Sequence, residues 1–153
     1  MKTVIAAVGR LRRSPLEDVF ADYVRRLRWE VSLHEVDASR APSPEARREQ
    51  EADKLRRHLP AGGAVVVLDE RGEDLASDAL AQRIARWQEQ ARVPISWIIG
   101  GPDGVAPGLV GSADLVLSFG RATWPHLMVR VMLAEQLYRA ATILDGHPYH
   151  RGS

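Results

Sequence analysis

Two stretches, Ala64 to Leu68 and Ile95 to Ile99, are apolar almost without interruption, Ser96 being the one break. A strand with one face in water alternates apolar and polar residues, so a strand apolar at successive positions needs cover on both faces. That requirement points to a parallel sheet between layers of helix. The rest of the chain supplies the helices. Thr3 to Val8 is a short β-branched run stopped by Gly9, after which Ser14, Pro15 and Glu17 make a capping box with proline at the first helical position. Leu16, Val19, Phe20, Tyr23, Val24 and Leu27 then recur at helical spacing, and Val31, Leu33 and Glu35 begin an alternating strand that ends near Val36. Ser43 and Pro44 open a polar helix to about His58, and Ser77 opens another carrying Leu80, Ile84 and Trp87. A short helical or turn segment near Pro107 to Ser112 precedes a strand at Asp114 to Ser118, and a last helix runs from about Pro125 to Leu144. The expected class is α/β, a mostly parallel sheet with helices on both faces. With no internal repeat, low-complexity tract or dividing linker, residues 1–153 read as one domain.

Several function classes drop out at once. There is no cysteine, which removes disulfide scaffolds, thiol catalysis and sulfur-ligated zinc. The apolar run at Thr3 to Val8 is too short for a secretory signal, and no run approaches a membrane span, so a cytoplasmic protein is expected. A net charge of +1 argues against coating nucleic acid by bulk electrostatics. Yet all but Lys2 and Lys54 of the 21 basic residues are arginine, the side chain suited to bidentate phosphate contacts. Arg47, Arg48, Lys54, Arg56 and Arg57 are interleaved with Glu45, Glu49, Glu51 and Asp53 and read as an ion-paired helix face. Arg10, Arg12 and Arg13, with Arg25, Arg26 and Arg28, are the better phosphate candidates.

Between Leu127 and Leu144 only Arg130, Glu135, Gln136, Arg139 and Thr142 are polar. A helix apolar nearly all round is buried on more than one side: one side can face the sheet while the other, with Met128 and Leu137 expected outward, needs a partner, which favours a homodimer over a central helix of a monomer.

Chemistry is expected beyond the carboxyl ends of the strands. The loop Gly100-Gly101-Pro102-Asp103-Gly104 has three glycines in five residues, enough to bring backbone amides close to a ligand. It lacks the spacing of a dinucleotide fingerprint or a phosphate-binding P-loop, so the usual NAD and ATP sites lose ground. The loop from Ser118 to His126 combines glycine, two aromatics and a threonine, a composition able to sandwich a purine-like ring. The tail His147-Pro148-Tyr149-His150-Arg151 concentrates titratable and hydrogen-bonding groups suited to proton transfer or holding an anion. His147 and His150 have no third ligand at motif spacing, so no metal is expected.

These same segments carry a resemblance. Ala7-Val8-Gly9, Ile99 to Gly104, Pro125-His126 to Arg130, Ala134 to Ala140 and His147 to Arg151 together closely resemble the bacterial 23S rRNA pseudouridine-1915 N3-methyltransferases of the SPOUT superfamily. The likeness spans the whole chain and is loosest between about Asp37 and Gly63. It implies a C-terminal segment threaded into a trefoil knot, a topology that periodicity alone does not suggest. It implies a homodimer acting on helix 69 of 23S rRNA within the ribosome. It also implies S-adenosylmethionine held by Leu68, Gly100, Gly101 and the loop Phe119, Gly120, Arg121, Ala122, Thr123 and Trp124. Gly120, Arg121 and Trp124 depart from the family pattern. Tyr149, His150 and Arg151 would be catalytic: His150 as the base for a weakly acidic imide, Arg151 holding developing charge, Tyr149 stacking on or hydrogen-bonding the target. Two alternatives stand beside this reading: a SPOUT-type methyltransferase acting on another RNA such as tRNA, and a non-catalytic RNA- or nucleotide-binding dimer.

Overall fold

The computed structural model describes residues 1–151. Five strands form one parallel sheet in the order β2-β1-β4-β3-β5. They are β1 (Lys2–Val8), β2 (Glu30–Val36), β3 (Val65–Asp74), β4 (Ile95–Ile99) and β5 (Leu115–Ser118). The helices are α1 (Leu16–Arg26), α2 (Pro44–Arg56), α3 (Ser77–Glu89), α4 (Pro107–Gly111) and α5 (His126–Asp145), followed by a 3₁₀ turn at Pro148–Arg151. Among the described residues no helix is long and apolar enough to cross a membrane.

The unbroken apolar runs have the expected cause. Ile5, Ala7, Val66, Leu68, Trp97 and Ile99 face a layer made of α1, α3 and α5, through Phe20, Leu80, Ile84, Leu133 and Leu137. Their neighbours Ala6, Val8, Val67 and Ile98 point the other way, onto Ala52 and Leu55 of α2 and Leu109 of α4. β1, β4 and the first half of β3 are thus buried on both sides. Ser96 and Thr3, polar and buried among them, are not equivalent: the Thr3 hydroxyl donates to the Ile95 carbonyl (3.0 Å) and accepts from Trp97 Nε1 (2.8 Å), while Ser96 Oγ has no partner among the described residues.

Three local expectations shift. At the start of α1 the caps are displaced by one residue: Ser14 Oγ accepts from Leu16 N–H and Glu17 reaches back to Arg13 N–H instead of Ser14. β3 does not stop at Leu68 but runs to Asp74 through a register shift, both Leu68 and Glu73 standing opposite Leu117. The intervening Asp69–Gly72 bulges out of the ladder. Finally, α5 lies between α1 and α3 on the sheet, so its apolar circumference is used largely within the chain. Leu137, expected on the outer face with Met128, is instead fully buried against the sheet layer, and Met128, 37% exposed, and Leu144 are the outward apolar residues.

Candidate active site

The crossover from β4 to β5 passes β3, so the ends of β4, β3 and β5 lie side by side and their loops converge. Between them is a cavity of about 660 Å³, within the range of small-molecule sites. One wall is the β3 bulge, Leu68 to Arg71; a second is the β4 loop, Gly100 to Val105; a third is the β5 loop, Phe119 to Pro125, closed by His126 and Val129 of α5.

Each wall is braced by side chains. Arg47 on α2 donates from Nε to Asp103 (2.7 Å) and from Nη1 to the Ala41 carbonyl (3.0 Å), and Arg48 reaches the Asp103 carbonyl. The Arg47 guanidinium holds the Asp103 carboxyl below the ordinary carboxylate range. The expected pairing within the α2 face is met by Arg56 with Asp53, while Arg47 reaches off the helix to pin the glycine loop through Asp103 and Arg48 bonds a backbone carbonyl there. In the bulge, Arg71 pairs with Asp69 and lowers its pKa likewise. Thr123 Oγ1 donates to Glu70 (2.6 Å), tying the β5 loop to β3. That loop is closed on itself by Gly120 N–H to Ser118 Oγ (3.0 Å) and Trp124 Nε1 to the Phe119 carbonyl (3.3 Å).

The glycines have a structural reason the sequence does not reveal. A Cβ on Gly100 would stand 2.7 Å from the Gly104 carbonyl oxygen, and one on Gly101 would press on Val8 Cγ1 at 3.0 Å. The missing side chains make room for the loop's own turn and for β1. Both residues line the cavity, but Gly101→Val would strain the packing against β1, so it does not isolate ligand binding.

His126 joins this cavity to the β1 end: its Nε2 would be 3.1 Å from a Cβ on Gly9. Burial, and then the charge of Arg130, lower its pKa against the opposing pull of Glu51, which keeps the imidazole neutral near pH 7. Glu51 is buried on α2, its Oε2 accepting from the Ser39 amide (2.9 Å) while Oε1 has no partner among the described residues. One turn along α5, Arg130 is fully buried and donates to Glu35 (2.5 Å) and to the Val8 and Gly9 carbonyls (3.3 and 3.2 Å).

Of the residues expected to hold a cofactor, Leu68, Gly100, Gly101, Phe119, Gly120, Ala122, Thr123 and Trp124 line the cavity together; Arg121 is exposed on the same loop but outside the lining. The sequence reading missed Asp69, Glu70, Arg71 and His126. The charged string Asp69–Asp74 reads as a surface loop, and no local pattern shows that it bulges into a site.

The tail lies elsewhere. Tyr149 donates to Glu135 of α5 (3.3 Å), packs edge-on against Tyr138 (4.5 Å between centroids) and sits under the Arg139 guanidinium. Burial and the neighbouring Tyr23 and Glu135 push its phenol up to about 12. Among the described residues His150 Nδ1 is buried without a partner, and Arg151 is exposed. Glu135 is nine residues beyond His126, about 14 Å along a helix, so one chain does not bring its own tail to its own cavity.

A sequence model of a family described as "Predicted SPOUT methyltransferase" matches residues 1–150. The chain belongs to the SPOUT methyltransferase family. Proteins named ribosomal RNA large subunit methyltransferase H are similar to this SPOUT chain over 99% of both lengths: that of Rhodospirillum centenum is 49% identical over 151 residues, and that of Paracoccus denitrificans 52% over 159. A solved SpoU methyltransferase, AviRb of Streptomyces viridochromogenes in complex with AdoMet, gives a TM-score of 0.47 at 14% identity, covering 90% of this SPOUT chain and 57% of that one.

Proposed function

We propose that this SPOUT methyltransferase transfers a methyl group from S-adenosylmethionine to large-subunit ribosomal RNA, at N3 of the pseudouridine at position 1915 in helix 69. The observation that carries the proposal is the cavity at the ends of β4, β3 and β5, set in a chain about half identical, end to end, to proteins named for that activity.

The cavity suits the cofactor. Its floor is apolar, from Leu68, Ile99, Leu117 and Val129, and its rim exposes glycine backbone with Phe119 and Trp124 on one side, a setting for an adenine ring. Asp69, Glu70 and Asp103 in the walls complement a positively charged ligand. Leu68, Gly100, Gly101 and the loop from Phe119 to Trp124 would hold the cofactor, with Arg121 reaching outward. When bound, it supplies an activated methyl on a sulfonium.

The chain's part is to position the target base and manage its proton. An imide N–H is mostly protonated near neutral pH, and a positioned base is worth about 10² to 10⁴ in rate. His150 would take that proton and Arg151, which has no ion pair among the described residues, would hold charge on a carbonyl oxygen. Tyr149, with its pKa up at about 12, keeps its proton and serves as donor or stacking surface. Because tail and cavity are separate within one chain, the active unit would be a homodimer in which each tail serves the partner's cavity. An apolar groove lined by Val19, Tyr23, Leu75, Phe119, Val131 and Met132 supports a second copy on the α1–α5 face. A trefoil-knotted C-terminal segment, the single domain and a cytoplasmic setting belong to the same reading.

The test is methyl transfer to ribosomes from a strain lacking this modification, with mass mapping of the product nucleotide. One new methyl at the pseudouridine of helix 69 is expected; transfer to tRNA alone, or none to any RNA by a folded, cofactor-binding protein, would overturn the proposal.

A further inference from the structure

In a parallel sheet every strand-to-helix loop lies at the carboxyl edge, so the loops after β1, β2 and β5 border the same face as the cavity. The loop after β1, residues 9–15, holds Arg10, Arg12 and Arg13 and no carboxylate; the loop after β5, residues 119–125, holds Arg121 and no carboxylate. Arg10 is spent on Asp37, in the loop after β2. Of the other acidic groups nearby, Asp103 and Asp69 are occupied by Arg47 and Arg71, Glu17 takes the Arg13 amide and Glu70 accepts from Thr123. Arg12, Arg13, Arg40 and Arg121 are exposed and, among the described residues, have no ion-pair or hydrogen-bond partner for their side chains. Within the loops after β1, β2 and β5, these four guanidinium groups have no carboxylate paired to them among the described residues.

The part of it carrying Arg12 and Arg13 is a built element. Leu11 is buried and its amide is held by Glu35 (2.8 Å); Ser14 N–H closes the turn on the Leu11 carbonyl (2.8 Å); Arg13 N–H is held by Glu17 (3.2 Å). Between these anchors the two arginines form the tip. Arg13 sits at φ +67°, a left-handed conformation that glycine or asparagine adopts far more readily. A long cationic side chain occupies a position whose backbone favours none. The same loop begins at Gly9, which abuts His126 at the cavity. β1 and β5 are three strand spacings apart, about 14 Å, so the Arg12–Arg13 turn and Arg121 stand on opposite flanks of the cavity mouth.

We propose that the Arg12–Arg13 turn, with Arg121 across the cavity mouth, is a phosphodiester-binding rim that seats the RNA backbone over the methyl-transfer cavity. This rests on the RNA methyltransferase reading above and assigns the contact surface that the near-neutral net charge conceals. Contacts of this kind fix register and orientation, leaving base recognition to the cavity and tail.

The experiment measures binding of purified 23S rRNA by the full-length protein with S-adenosylmethionine across a KCl series. Each lost phosphate contact lowers the slope of log K against log salt by about 0.7 to 0.9. Arg12→Gln with Arg13→Gln should reduce the slope by about 1.5 and weaken binding about 10-fold at low salt, with cofactor affinity unchanged. Arg28→Gln with Arg57→Gln, exposed arginines at the amino edge, should leave the slope as in wild type. Arg13→Gly separates binding from folding, since it should melt no lower than wild type and still lose one contact's slope. An unchanged slope in the Arg12/Arg13 variant, an equal loss in the amino-edge variant, or loss of binding to phosphatidylglycerol vesicles with RNA binding intact would overturn the rim. Absence of methyl transfer by wild-type protein to ribosomes, with the slope change still present, would instead overturn the enzyme reading and leave a phosphate surface standing.

Discussion

Replacing Arg130 with methionine tests whether an ion pair ties the last helix to the heart of the sheet. The guanidinium is wholly buried and makes three contacts, to Glu35 at 2.5 Å and to the carbonyls of Val8 and Gly9 at 3.3 and 3.2 Å. Removing one partner of a buried pair typically costs about 3–5 kcal/mol, because the other charge remains uncompensated. Two features favour the lower end. The Glu35 side chain is 19% exposed and so can regain some water, and Arg130 Nε has no partner among the described residues and therefore carries a desolvation cost that methionine removes. A loss of about 3 kcal/mol corresponds to a melting temperature lower by roughly 6–12 °C in a domain of this size. Thermal and urea unfolding followed by circular dichroism at pH 7.5 would read it. Adding Glu35→Gln, which keeps an acceptor for the Leu11 amide but removes the charge, should recover about 1–2 kcal/mol of that loss. An Arg130→Met cost below about 1 kcal/mol, or strictly additive losses in the double variant, would refute the assignment of the pair as the tie.

Asp103→Asn should free the glycine loop from Arg47 and weaken S-adenosylmethionine binding about 10-fold by calorimetry, while the melting temperature moves by only a few degrees. Gly100→Ala should lower both, since its Cβ would lie 2.7 Å from the Gly104 carbonyl oxygen; cofactor affinity and melting temperature equal to wild type would show that the turn yields freely. His126 has its pKa lowered in the fold, so the unfolded chain binds the proton first as pH falls. Its contribution is complete above the ordinary histidine range near 6.5 and is lost as pH drops toward the folded value, so His126→Asn should flatten the stability curve below about pH 6.5. Truncation after Pro148 should reduce methylation of ribosomes by at least about 10² with cofactor affinity within a few-fold of wild type; near-normal methylation would remove Tyr149, His150 and Arg151 from the chemistry.

The fold is legible in the sequence because its strongest signal, apolar residues at successive positions, has one physical solution, and Val66, Val67, Trp97 and Ile98 take opposite faces as that solution requires. The glycine-rich and aromatic loops are legible as cavity walls for the same reason: composition follows backbone geometry. The bulge at Asp69–Gly72 is not, since its charges are those of any exposed turn and its place depends on a register shift against β5. Nor is His126, a single imidazole whose environment comes from Gly9, Arg130 and Glu51, all distant in sequence. The apolar circumference of α5 misleads in the other direction. It signals burial without saying whether α1 and α3 or a second molecule provide the cover.

α5 begins at the cavity and ends in a tail folded against its own flank, and this bears on inheritance of defects. If each tail works in the neighbouring subunit, a tailless chain still owns a sound cavity and a chain with a ruined cavity still owns a sound tail. Random pairing of the two makes about half of all dimers mixed, each with one complete site, so the blend should show about a quarter of normal activity although neither chain works alone. The same arithmetic means that a subunit defective in both would silence its healthy companion.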